Sequence, residues 1–229
     1  MKWLLRIGLS AHIILFSGFI SSIYGQNSGP DITSRLGLSG GLGVSYHTAQ
    51  DIVNRINGSG IAGKRVDDFK SAVEFFGAVS IPLTSEWIIK PEYAYMIASH
   101  SLPSAVGIAN AEFSYVVHMP SMIVQYVLFT APTYCVKAGA GFGYHLCTYN
   151  EKYSSVDRSF SASGAGSLLE FEASNALGDD LAVYLGVQAR WDFIGDLKDN
   201  AGNAPLGNLG PTSLNFFGIG ARLGATYYF

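Results

Sequence analysis

The last sixteen residues of the chain, 214–229, constrain the fold most, because apolar and polar side chains alternate through the segment. Every second residue counted back from the end is apolar or aromatic, namely Phe229, Tyr227, Ala225, Leu223, Ala221, Ile219 and Phe217. The residues between them include three glycines and a single charge, Arg222. Successive side chains of a strand point to opposite faces, so the segment predicts a β-strand with one apolar and one small, polar face.

The first 25 residues have the pattern of a secretory signal peptide. Lys2 and Arg6 precede the apolar segment 7–23, and Gly25 offers a small residue for cleavage. We expect residues 1–25 to be removed; a retained membrane anchor is the alternative. Cleavage leaves 12 of the 14 basic residues against 17 acidic ones. This acidic balance argues against nucleic acid as a partner, since nucleic-acid binding requires a basic patch.

The remaining residues, 26–229, are hydrophobic without containing an apolar segment of membrane-helix length. Apolar residues make up 48% of the chain and charged residues 14%, yet no later segment reaches the roughly 18 apolar residues of a membrane helix. An export signal combined with dispersed apolar residues is typical of a barrel that crosses a membrane with strands. We interpret residues 26–229 as one such domain.

Seven further segments alternate in the same way, which predicts eight strands. They are Leu36–Tyr46, Phe69–Ile81, Trp87–Ile97, Phe113–Leu128, Tyr134–Leu146, Leu169–Glu172 and Leu181–Phe193. In the fourth, polar residues change parity between His118 and Ser121, which predicts a β-bulge at Met119-Pro120; weak alternation is the alternative.

Short and long connections alternate between these segments. The short ones lie around Thr84–Ser85, Thr130–Pro132 and Leu177–Asp179, and the long ones span His47–Val66, Ser99–Ala111, Tyr149–Ser163 and Gly195–Ser213. Outer-membrane barrels have short periplasmic turns and long outer loops. We therefore predict an up-and-down antiparallel barrel with both termini in the periplasm and extracellular long loops.

The charged residues of the strands distinguish a membrane barrel from a soluble one. All eleven fall on the face opposite the apolar one: Arg35, Lys70, Lys90, Lys137, Arg190, Arg222, Glu74, Glu92, Glu170, Glu172 and Asp192. A charge on the lipid face costs about 2–4 kcal/mol near the midplane, so charges of a membrane barrel face inward. We predict that all of them except Arg35 form a paired network in the lumen. Because eight strands enclose only enough space for side chains, the prediction is a plugged lumen without steady conduction.

Outward aromatic residues are expected near both ends of the strands, as interfacial girdles. The periplasmic set is Trp87, Tyr126, Tyr134, Tyr227 and Phe229, and the opposite set is Tyr46, Phe69, Tyr95, Phe113, Trp191 and Phe193.

The stretch from Phe113 to Tyr144 resembles the outer-membrane β-barrel domain family of Bacteroidetes-type bacteria, which is related in fold to OmpA-like and opacity-type barrels. The matching elements are Phe113 with Tyr115, Met119-Pro120, Tyr126, the glycine-rich strand Gly139–Tyr144, Leu169–Phe171 and Arg190-Trp191. His118 departs from the acid usual before the proline step. The resemblance implies the outer membrane of a Gram-negative bacterium, in contact with lipid and lipopolysaccharide. The final Phe229, with Tyr227, resembles the signal read by the barrel-assembly machinery.

The two cysteines and the first long connection carry local predictions. Cys135 and Cys147 lie twelve residues apart on one strand, about 40 Å, so they are expected to be free thiols. In the first connection, Thr48 and Asp51 predict the start of a short helix with Ile52, Val53 and Ile56 on one face. That apolar face would cover the barrel mouth or bind a partner.

The function predicted from these features is that of a non-enzymatic outer-membrane protein without a cofactor, active in envelope integrity, adhesion or as an accessory of an envelope or secretion assembly. Its outer loops would contact an envelope protein. The alternative is a lipid A-modifying enzyme of the acylase or deacylase type. The Ser, His and acid groups for it are His100-Ser101, His118 with Ser121, and His47 with Asp51, although no spacing enforces a catalytic geometry.

Overall fold

The computed structural model of the chain describes residues 34–58, 71–103, 110–153, 156–205 and 210–229. The strands are β1 (Gly37–His47), β2 (Ser71–Pro82), β3 (Trp87–Pro103), β4 (Asn110–Thr130), β5 (Tyr134–Tyr153), β6 (Val156–Ala176), β7 (Leu181–Asp196) and β8 (Ser213–Tyr228), and helix α1 (Gln50–Gly58) follows β1. Neighbouring strands are antiparallel, and β1 also pairs with β8, which closes the barrel. The predicted signal peptide, Lys70 and Phe69 lie outside the described residues.

The barrel wall is apolar outside and charged inside. Leu42, Phe75 and Leu223 each expose about half of their surface, whereas Glu74 and Arg222 on the other face expose 5% and 6%. This distribution of apolar and charged side chains is the reverse of that in a soluble protein and matches a wall that faces lipid. It confirms the predicted eight-stranded antiparallel transmembrane β-barrel. No helix in the described part of the chain has the length and apolar character needed to span a membrane.

The strands differ in length around the barrel. β4, β5 and β6 contain 21, 20 and 21 residues, whereas β1 and β2 contain 11 and 12. Strands β3 to β6 therefore rise above the rest of the wall at the end where α1 lies. We call this part the upper extension; it comprises residues 98–103, 110–117, 147–153 and 156–163.

Two of the predicted long connections are wrong, because they are largely strand. β3 continues to Pro103 and β4 begins at Asn110, so only 104–109 separate them. β5 and β6 are separated by 154–155 alone. The outward residues of the upper extension include Ser99 and Ser161 rather than apolar side chains, so the alternation that marks a lipid-facing strand disappears although the strand continues.

The predicted β-bulge at Met119-Pro120 is also wrong. β4 pairs with β3 in constant register through both residues, and the shift lies between Val127 and Phe129, against β5. Ser121 and Gln125 point into the polar interior, while His118 faces outward. The change of parity therefore arises because polar residues lie on the outer face before Met119 and on the inner face after Pro120, and the strand alternates regularly throughout.

The upper end of the barrel interior is filled by apolar side chains, which we call the mouth cluster. It contains Ile52, Val53, Ile56, Phe113, Tyr115, Tyr149, Phe160, Ile194, Leu197, Leu214 and Phe216, all buried. The apolar face of α1 is therefore turned into the barrel mouth. Phe113, predicted in the outer girdle, is instead fully buried inside, because its position has the inward parity of β4.

Candidate functional site: the barrel interior and its upper rim

Six strands contribute charged residues to one level of the interior. We call this set the lumen charge network: Glu74, Lys90, Glu92, Lys137, Glu170, Glu172, Arg190 and Arg222, each exposing 8% or less of its surface. The alternation of the strands places them there; Lys90, for example, stands between the outward Ile89 and Pro91.

Lys90 and Lys137 share the carboxylates of β6. The Lys90 Nζ lies 2.7 Å from Glu170 Oε1, 3.5 Å from Glu172 Oε2 and 3.8 Å from Glu92 Oε2. The Lys137 Nζ lies 2.5 Å from the other oxygen of Glu172. Each ammonium group therefore faces at least one carboxylate at hydrogen-bond distance, which a buried charge requires.

Two arginines form the other half of the network. The Arg222 guanidinium donates to Glu92 Oε2 at 2.9 Å, forms a second ion pair with Glu74, and lies 4.5 Å from the centre of the Phe76 ring. Arg190 lies 3.7 Å from Glu74 and donates to the Gln188 side-chain oxygen at 3.1 Å. Glu92 and Glu74 link the arginines to each other and to Lys90.

The network is balanced in charge. Its four basic groups face four carboxylates, and the Gln125 amide donates to Glu170 at 2.7 Å and to Glu172 at 3.3 Å. Such a cluster holds the strands in one arrangement and leaves no free charge to attract an ion. A cavity of about 20 Å³ beside Glu74, Met96 and Arg190 has room for about one water molecule.

Asp192 lies apart from this network and pairs with a residue that the sequence analysis missed. Its carboxylate contacts Nδ1 of His145, and both side chains are buried. Ser121, Gly143, Gly166 and Asp192 form one row across β4 to β7. A Cβ on either glycine would overlap the imidazole ring. The sequence does place glycines and His145 on the inner face of β5. Their proximity to Asp192, however, depends on the register between strands, which the sequence does not give.

The predicted combinations of serine, histidine and acid are not assembled. His118 faces outward, where its Nδ1 lies 2.5 Å from the Tyr93 hydroxyl, and Ser121 points into the lumen. Asp51 accepts a hydrogen bond from Ser213 at 2.6 Å, whereas His47 lies in the interior against Tyr115 and Phe216. His100 and Ser101 are adjacent in β3 and so point to opposite faces.

The predicted assembly residues lie at the seam between β1 and β8. Tyr227 and Phe229 face outward with ring centres 5.1 Å apart. Arg35 donates to the backbone oxygens of Tyr228 at 2.9 Å and Phe229 at 3.2 Å, and to Asp180 at 2.5 Å. Arg35 thus connects the start of the barrel to its last residues and to the β6–β7 turn.

Helix α1 is held in the mouth by a polar contact as well as by apolar packing. The Arg55 guanidinium donates to the backbone oxygens of Gly210 and Pro205 and to the Thr212 hydroxyl. Burial lowers the pKa of Arg55, and the carboxylate of Glu151 opposes that shift. These bonds connect α1 to the β7–β8 connection.

The described His, Cys and acidic side chains form neither a metal site nor a disulfide. In the described ranges, no three His, Cys, Asp or Glu side chains are grouped so as to hold a metal ion. Cys135 and Cys147 are free thiols, as predicted, and both are buried.

Two solved structures show the same fold. The chain is similar to Neisserial surface protein A, with a TM-score of 0.50 and 10% identity over 85% of this chain and 97% of that one. It is also similar to the outer membrane protein OprG from Pseudomonas aeruginosa, with a TM-score of 0.50 and 11% identity over 90% of this chain and 99% of that one. No protein-family model and no curated protein sequence matches the chain. At so low a sequence identity, the similarity concerns the barrel fold alone.

Proposed function

We propose that the chain is a non-enzymatic outer-membrane protein of a Gram-negative bacterium, of the Bacteroidetes type. Its lumen is plugged, and it acts through its outer rim in envelope integrity, adhesion or an envelope assembly. The observation that carries this proposal is the filling of the barrel interior at successive levels by buried side chains.

Three levels of the interior support a plugged lumen. The lower end contains the buried cluster of Ile88, Val127, Cys135, Ala182 and Tyr228. The lumen charge network lies above it, and the mouth cluster with α1 closes the upper end. An ion that crosses the barrel has to displace all three, and the middle level opposes it because its charges already have partners.

The outer surface supports an orientation with the upper extension outside the cell. Aromatic pairs lie on the outer wall near both ends of the strands: Trp87 and Tyr126 near the lower end and Trp191 and Phe217 toward the upper end, with ring centres 4.9 and 5.2 Å apart. Serines replace apolar residues on the outer face of the upper extension. Lipid and lipopolysaccharide would therefore contact the lower wall and its boundary, both termini would be periplasmic, and Phe229 with Tyr227 would be read by the assembly machinery.

The upper extension gives the proposed activity a surface of paired strands. Four paired strands, α1 and the β7–β8 connection pack on one another through the mouth cluster. A surface of this kind binds a partner without the cost of ordering a disordered loop. Lipid A modification is disfavoured, because the predicted Ser, His and acid groups are separated.

Planar-bilayer recordings of the purified full chain test the plugged lumen, and we expect no stable conductance at moderate voltage. The matched control is a chain that lacks residues 50–58, which removes α1 but leaves the lumen charge network. Large, steady channels in the intact protein would overturn the proposal.

Photocrosslinking in cells tests the action through the outer rim. Crosslinkers at the exposed Ser101 and Asn200 are expected to yield a discrete protein adduct, whereas one at the outward Leu185 is expected to yield lipid adducts. A lipid A mass spectrum that changes on expression would favour the enzymatic alternative.

A further inference from the structure

Among the residues that the structure describes, the top of β6 pairs with a strand on one side only. β5 pairs with β6 up to Tyr153↔Val156, whereas β7 pairs with β6 only as far as Gly164↔Ile194. Above that point there is an isolated bridge, in which the N–H groups of Ser161 and Lys198 donate to each other's carbonyl oxygens at 2.9 and 3.1 Å. We call residues 156–160 the open β6 edge.

The bridge fixes the direction in which the backbone groups of this edge point. In an antiparallel ladder, alternate residues bond to opposite neighbours. Ser161 bonds toward the β7 side, so the N–H and C=O groups of Ser159 and Asp157 also point away from β5. Within the described part of the chain, no backbone or side-chain group bonds to these four groups.

A groove runs beside the open β6 edge. It has a volume of about 740 Å³ and is lined by Arg158 and Ser159 on one side and by the turn 199–204 on the other. Asp199 holds that turn by accepting hydrogen bonds from the N–H groups of Ala201 at 2.9 Å and Asn203 at 2.8 Å. The groove therefore has a strand edge as one wall and an ordered turn as the other.

The charge of the edge indicates which kind of strand fits. Arg158 is exposed and forms no ion pair with a described carboxylate, although the Asp199 carboxylate on the other wall of the groove interacts with it electrostatically. A second copy of the chain fits poorly, because two-fold pairing centred on Arg158 or Asp157 places like charges opposite each other. Pairing centred on Ser159 would collide with Lys198 at Ser161.

We propose that the open β6 edge binds an extended segment of a partner protein as an added β-strand, with an acidic side chain of that segment opposite Arg158. The backbone groups of Asp157 and Ser159 would supply up to four hydrogen bonds, and Arg158 would select the partner by charge, as in other recognition by strand addition. This inference rests on the proposed function, since it specifies the surface and the partner class of the outer rim.

The test uses the full chain in lipid nanodiscs and a synthetic peptide, acetyl-Thr-Val-Thr-Glu-Thr-Val-Thr-amide. NMR titration should show saturable shifts at the Asp157 and Ser159 amides with a dissociation constant of about 1 mM. Ser159→Pro removes the N–H that faces the groove without removing a bond to β5, so it should weaken binding at least about tenfold. Ser159→Ala keeps that N–H and should bind within about twofold of the wild type.

Charge reversal tests the predicted selectivity. Arg158→Glu should weaken binding of the glutamate peptide and strengthen binding of the same peptide with lysine at its centre. Equal binding by the proline and alanine variants, or no shift at Asp157 and Ser159 up to about 5 mM peptide, would overturn the inference. A rim crosslink in cells that persists unchanged in Ser159→Pro would also overturn it, while the proposed function would stand.

Discussion

The lumen charge network and the mouth cluster fill the same barrel by opposite means. In the first, buried charges are satisfied by particular partners, as Lys90 is by Glu170 at 2.7 Å and Arg222 by Glu92 at 2.9 Å. In the second, Ile56 of α1 is buried in one apolar cluster with strand residues such as Tyr149 and Phe160. The first joins strands of the membrane-spanning wall, and the second attaches a helix to the rim.

This difference indicates how each region should respond to damage. Removal of one member of a buried ion pair leaves an uncompensated charge in a low dielectric, which costs more than the net value of the pair. Removal of apolar atoms costs the transfer free energy plus a cavity, and the surroundings relax in part. We therefore expect a substitution in the lumen charge network to destabilise the whole barrel. A substitution in the mouth cluster should open only the part of the rim around it.

Arg222→Leu should have the largest effect. The change leaves Glu92 and Glu74 without their common partner, and we expect a loss of about 3–5 kcal/mol in the free energy of unfolding. Urea unfolding of the barrel in lipid vesicles, followed by tryptophan fluorescence, measures it. Arg158→Leu is the matched control on the exposed rim and should change stability by less than about 0.5 kcal/mol. Equal stability of the two variants would show that the network is dispensable.

Ile56→Ala tests the mouth cluster. Ile56 lies on the inner face of α1 and is fully buried, and truncation of such a side chain costs about 2–5 kcal/mol where it packs. Because α1 joins the barrel only at the rim, we expect the loss to open the helix while the strands remain folded. Hydrogen exchange should speed up at 52–58 and stay slow in β7 and β8, and Asn54→Ala on the exposed face should change neither. Exchange that accelerates throughout the barrel would contradict local failure.

The sequence predicted one of these two regions far better than the other. Every described charge assigned to the lumen faces inward, because alternation along a strand determines the face of each residue. The partner of each charge could not be predicted from the sequence, because residues such as Lys90 and Glu170 belong to strands separated by β4 and β5. Their contact depends on the curvature of the closed barrel as well as on alternation.

The upper extension was predicted least well. Phe160 faces inward there while the outer face carries residues such as Ser161, so the segments 99–111 and 149–163 lack the apolar outer face expected of a membrane strand and are predicted as connections. Phe113 lies in a predicted strand but faces inward instead of outward. The strand continues because its inner face packs on α1 and on the β7–β8 connection. That packing is a tertiary effect that a search for lipid-facing alternation does not detect.

Gly166→Ala tests the boundary between the lumen charge network and the mouth cluster, where His145 pairs with Asp192. A Cβ at this position would overlap both side chains, so we expect a loss of about 1–3 kcal/mol from overpacking, again by urea unfolding. Gly40→Ala is the control, because its Cβ would have an ordinary contact of 3.7 Å with the Phe76 oxygen. If both variants unfold at the same urea concentration, the imidazole has more room than the register implies.

Acidification should produce the smallest effect, confined to the turn that faces the open β6 edge. The hydrogen bonds from Asn203 and Ala201 hold the pKa of Asp199 below its usual value, so the turn gains stability from the ionised carboxylate. That gain is complete above the unfolded pKa of about 4 and is lost as the pH falls through the lower folded value. Amide protection at Ala201 and Asn203 should decrease in that range and be absent at neutral pH in Asp199→Ala. Because the lumen charge network is buried and shares no residue with the turn, its exchange at neutral pH should be the same in Asp199→Ala and in the wild type.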